Sequence, residues 1–137
     1  MLRPIPWPEA RTLWGWVRNG LLEIIERCEE RWLPEDVYEA LRAGRAVLAA
    51  ISVGGDDIGF VVLCEHRDPD GPVLFVWCCW SEPGALLPLW KLLRDELHEI
   101  AKRKGAKRVR YESPRAGYGR FEGFTMVKSI YELEVQS

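Results

Sequence analysis

The chain has 137 residues, a formal net charge of −2, 47% hydrophobic residues and 29% charged residues. This length lets one domain bury roughly two-thirds of the surface its unfolded chain exposes, so a core needs neither disulfides nor metal. The composition excludes disordered and fibrous classes, and the slight acidity excludes a surface that binds nucleic acid all over.

Met1 to Pro8 contains Pro4, Pro6 and Pro8 and lacks the apolar stretch of a signal peptide. The longest apolar run, Val73 to Trp80, falls far short of the roughly 20 residues that span a bilayer. A cytoplasmic location is the expectation. Pro8 to Arg31 is predicted as one long helix, with Leu13, Val17, Leu21, Ile24, Cys28 and Trp32 along one face and Glu23 and Arg27 as an i,i+4 pair on the outer side. Trp14 and Trp16 widen the apolar surface beyond that stripe. A short helix restarts at Leu33-Pro34-Glu35-Asp36 and ends at Gly44.

Three strands follow, Ala46–Val53, Ile58–His66 and Val73–Trp80, separated by the turn signals Gly54-Gly55-Asp56-Asp57 and Arg67 to Pro72. The third is apolar on both faces, as a central strand covered on both sides would be. A second long helix is predicted from Leu86 to Lys104, closed by Gly105, with Leu89, Leu93, Leu97, Ile100 and Ala101 in its buried stripe. Lys107–Glu112 reads as a fourth strand, with Tyr111 in the core. Ser113–Gly123 reads as an irregular segment, and Phe124–Val135 as a last strand. The order implies one α/β domain with a mixed sheet of about five strands: an antiparallel meander, a right-handed crossover helix, and helices at the N-terminus.

Cys28, Cys64, Cys78 and Cys79 form no CxxC pair, and no His sits at ligand spacing, so no zinc site is expected. They read as free thiols filling apolar space. Adjacent Cys78 and Cys79 should point to opposite faces of their strand, as should Trp77 and Trp80 with their odd spacing.

The stretch Asp57-Ile58-Gly59-Phe60-Val61-Val62 and the strand, loop, helix and strand from Val73 to the closing Gly123-Phe124 resemble the GNAT acetyltransferase superfamily. Ser113-Pro114-Arg115-Ala116-Gly117-Tyr118 is similar to an element of compact GNAT-like proteins encoded by tailed phages. The resemblance implies a GNAT-like fold in which the family's first strand is absent or replaced by helix. It also implies acetyl-CoA held by Trp80, Ser81, Gly84, Ala85, Arg115 and Arg120, with Glu82 as base and Tyr118 as acid. The loop Glu82-Pro83-Gly84-Ala85-Leu86-Leu87-Pro88 departs from the family pattern, because Pro83 and Pro88 each lack an N–H and Glu82 adds negative charge.

Two function classes therefore stand. One is an acyl-CoA-dependent N-acyltransferase acting on an amine. The other is a catalytically silent GNAT-fold phage protein, virion-associated or interacting with proteins, in the host cytoplasm or the virion. Lys102 to Arg120 carries eight basic residues against Glu112 alone, which suggests an anionic ligand. Trp7, Trp14 and Trp16 suggest a contact surface for a protein partner or a second copy.

Overall fold

The computed structural model describes residues 1–111. The stretch Ser113–Gly123, the strand predicted over Phe124–Val135, and Tyr118, Arg115 and Arg120 lie outside them. In chain order the elements are β1 (Leu2–Ile5), α1 (Trp7–Thr12), α2 (Trp14–Cys28), α3 (Pro34–Arg42), β2 (Ala46–Val53), β3 (Asp56–Asp68), β4 (Gly71–Ser81), a 3-10 turn (Leu87–Leu89), α4 (Trp90–Arg103) and β5 (Arg108–Tyr111). The strands form one sheet in the order β1-β2-β3-β4-β5. The first three junctions are antiparallel and β4 pairs with β5 in parallel, so the antiparallel meander and the parallel pair joined through α4 stand as read from the sequence.

Two features correct the sequence reading. The first strand is present: Leu2–Ile5 pairs with Ile51 back to Leu48, an edge strand that tolerates Pro4 because one side of an edge needs no N–H donor. The long N-terminal helix is two helices. Leu13 sits at φ −90° and ψ 5°, outside ideal helical values. The bend lets Trp7 and Trp14 both reach Tyr38, with ring centroids 5.0 and 4.9 Å away. Helix α2 then ends at Cys28, with Glu29 in the left-handed conformation at φ 53°.

The sheet is covered on both faces. On one, Val17 and Leu21 of α2 and Val37 and Leu41 of α3 pack with Leu48, Ala50, Phe60 and Val62. On the other, Leu93, Leu97 and Ala101 of α4 pack with Ala49, Ile51, Val61, Leu63, Leu74 and Val76. Adjacent residues on β2 and β3 thus serve opposite cores, which is why their sequences are apolar throughout rather than alternating. Tyr111 is buried in the α4 core beside Trp90, as expected, while Trp90 itself lies outside the predicted stripe.

Candidate functional site

The candidate site is the notch at the carboxyl end of β4, where the chain turns through a loop into α4. β4 and β5 run in parallel from Val73↔Arg108 to Val76↔Tyr111, and β4 then continues to Ser81, five residues past the last described pair. At that point β4 carries a bulge. Val62 faces Cys78 while the next residue, Leu63, faces Val76, so Trp77 is the extra residue. The bulge resets the alternation. Val76 faces the α4 core, Trp77 and Cys78 both face the α2–α3 core, Cys79 returns to the α4 side and Trp80 to the α2 side. Cys78 and Cys79 are therefore on opposite faces, as expected. Trp77 and Trp80 share one face, contrary to their odd spacing, because the inserted residue shifts the parity between them.

The mouth of this notch is built from the end of β4 and the start of α4. Gly59 faces Ser81 across the sheet, and a side chain at Gly59 would meet the Trp80 carbonyl oxygen, so glycine permits the approach of the two strands. The Glu82 N–H donates to the Ile58 carbonyl at 2.9 Å, tying the loop to β3. The Ala85 N–H, expected to face a phosphate, instead donates to the Glu82 carbonyl at 3.0 Å. Gly84, at φ 74°, is exposed, and its N–H has no backbone partner among the described residues. The Ser81 hydroxyl donates to the Glu82 carbonyl, and the Glu82 side chain is exposed.

Helix α4 begins with no acid in its first turn, and its second residue is the exposed Lys91. Helix N-termini favour anionic side chains, so a lysine there opposes the helix dipole unless an anion sits nearby. Sequence reading missed Lys91 because it placed the helix start four residues earlier, at Leu86.

Trp80 is the best-fixed residue of the notch. Its ring stacks on Phe60 at 5.7 Å and meets the edge of Trp16 at 5.9 Å, and its indole N–H donates to Glu23 Oε2 at 2.6 Å. Glu23, read from sequence as half of an outward pair with Arg27, is exposed and accepts this bond from the central strand. Trp7, Trp14 and Trp16 are all half-buried against this chain's own Tyr38, Phe60 and Trp80.

Two other features lie around β4. On the α3 side a groove of about 420 Å³ is lined by Asp36, Glu39, Cys64, His66 and Trp77. His66 stacks on Phe75 at 4.3 Å, and burial, then the nearby Arg110, hold its pKa below the usual value. Burial pushes the Cys64 thiol up to about 11 and the Cys79 thiol up to about 12, consistent with apolar filling rather than nucleophilic use.

The basic cluster sits at the opposite end of the parallel pair from the notch. Lys107 donates its N–H to the Pro72 carbonyl, at the beginning of β4. Arg108 pairs with Asp68 and Asp70, and Arg110 with Asp68, at 2.7 to 2.9 Å. Lys102, Arg103, Lys104 and Lys107 remain exposed there.

No family model matches the sequence, and no curated protein matches it. Solved structures do. A ribosomal-protein-alanine N-acetyltransferase from Brucella melitensis biovar Abortus matches with a TM-score of 0.65 at 17% identity, over 93% of this chain and 91% of that one. A probable acetyltransferase gives a TM-score of 0.70 at 15% identity, over 94% and 92%. A predicted acetyltransferase with acetyl-CoA, from Clostridium acetobutylicum, gives 0.60 at 15% identity, over 96% and 97%. The fold is the GNAT-like mixed α/β fold that these acetyltransferases share.

Proposed function

We propose that the protein is an acyl-CoA-dependent N-acyltransferase acting on an amine. The observation that carries this reading is the parallel pair β4 and β5, with the bulge at Trp77 in β4 just past the described pairs and the loop into α4 leaving the same, carboxyl end of β4. In open α/β sheets, ligands occupy the crevice beyond the carboxyl ends of parallel strands, and phosphates favour helix N-termini. The chain's own groups fit such a ligand: the Gly84 N–H, the first turn of α4, and Lys91, whose charge would meet a phosphate. Acetyl-CoA, when bound, supplies the activated acyl group. The likeness to a structure solved with acetyl-CoA supports the same ligand.

The two faces of β4 divide the work. The loop and α4 serve the donor side. The bulge turns Trp77 to the α2–α3 face, where the groove beside Cys64 and His66 gives an acceptor a path to the same strand. Glu82, proposed as the base, would act from the rim of the notch; Tyr118, outside the described residues, is proposed as the acid. Trp80 and Ser81 form its wall, with Ala85 supporting the loop, and Arg115 and Arg120 would add charge for the phosphates.

The silent phage component is favoured by no observation and is decided by the same experiment. Calorimetric titration with acetyl-CoA should give saturable binding, weakened about two- to fivefold by Lys91→Ala, the usual size of an exposed charge at a helix end. Absence of binding heat would overturn the acyltransferase reading. Binding that is equally tight in Lys91→Ala would remove Lys91 from the site.

A further inference from the structure

We propose that Glu23 determines acceptor specificity by receiving a protonated amine beside the end of β4, a role that rests on the acyl-transfer reading. Glu23 lies on α2, far in sequence from the notch, and its carboxylate is joined to the central strand by the Trp80 indole N–H at 2.6 Å. A surface glutamate on a helix ordinarily samples many rotamers. This one is held by a donor that is itself immobile. The Trp80 ring is fixed by Phe60 and Trp16, and α2 comes so close at Gly20 that a Cβ there would lie 2.9 Å from Trp80 Cδ2.

An indole offers one donor and no acceptor, whereas a carboxylate has two oxygens and about four lone-pair sites. Trp80 therefore fixes Oε2 and leaves Oε1 with no hydrogen-bond donor among the described residues. Trp80 follows the bulge on the same face of β4 as Trp77, so the held carboxylate lies on the acceptor side of the strand. The other carboxylate near this end, Glu82, is exposed and has no described partner that orients its side chain. A fixed anion with one oxygen open suits an ammonium group, which donates and never accepts. The substrate class is thus a cationic amine rather than an uncharged arylamine or hydrazide.

The test uses the whole protein, labelled with nitrogen-15, and reads the Trp80 indole N–H resonance, identified by its loss in Trp80→Phe. Titration with 2-phenylethylamine should shift that resonance saturably, 2-phenylethanol should not, and Glu23→Gln should raise the midpoint about tenfold while the amide keeps its bond to the indole. An equal response to the alcohol, an unchanged midpoint in Glu23→Gln, or no saturable shift would each overturn the role of Glu23. A parallel titration with acetyl-CoA separates the two claims. Cofactor binding without an amine response sinks Glu23 alone. An amine response without cofactor binding sinks the acyl-transfer reading and leaves Glu23 as a cation receptor.

Discussion

Gly20 shows how one missing side chain sets the geometry of the notch. A Cβ at this position would lie 2.6 Å from Phe60 Cε2 and 2.9 Å from Phe60 Cζ, both within the core under α2. Gly20→Ala should therefore push α2 away from Trp80 and cost about 1–3 kcal/mol, as overpacking of a filled core does. Gly15, on the same helix, has nothing within 4 Å of its ideal Cβ. Gly15→Ala should stabilise by about 0.5–1 kcal/mol through helix propensity alone. Urea denaturation of the two variants checks the pair, and a Gly20→Ala protein as stable as wild type would contradict the close approach. The sequence marks neither glycine apart: each sits inside an apolar helical pattern, and only the neighbours across space distinguish them.

Among the described residues β5 pairs with β4 at four positions, and its attachment is reinforced by charge. Asp68, at the end of β3, accepts two bonds from Arg110 and one from Arg108, and these hydrogen bonds lower its pKa from 3.8 to about 2. Because the folded value lies below the unfolded one, this stabilisation is fully present above about pH 4 and is lost as pH falls through about pH 2. Thermal midpoints followed from pH 5 to pH 2 should fall more steeply for wild type than for Asp68→Asn, while parallel curves would show that the network does not couple to folding. At this scale the sequence was informative in some places and silent in others. The meander, the parallel crossover and the α4 stripe were legible because their apolar patterns and glycine turns are strong local signals. Strand β1 was not, since Leu-Arg-Pro-Ile is short and carries a proline. The bulge at Trp77 was hidden because Val73 to Trp80 is apolar on both faces, so a shift of parity leaves no mark in the pattern.

Across the molecule, the proposed acyltransferase would keep donor and acceptor on opposite faces of the central strand, and the described basic cluster lies at the other end of the parallel pair. The family resemblance points to the end of β4 near Trp80, but Glu23, the carboxylate that Trp80 holds, was not foreseen, because a residue on α2 and one on β4 meet only in the folded chain. The basic run that looked like one anion site is divided: Arg108 and Arg110 are matched by Asp68 and Asp70, and the remaining described cations lie at the far end from the notch. Among the described residues no helix is long and apolar enough to cross a membrane. Amide hydrogen exchange with and without acetyl-CoA tests the central claim most directly, since it reports both whether the ligand binds and where. The account predicts slowed exchange from Trp77 through Leu92 and unchanged exchange from Lys102 to Lys107. Unchanged exchange around the notch, or protection confined to the basic end, would contradict it.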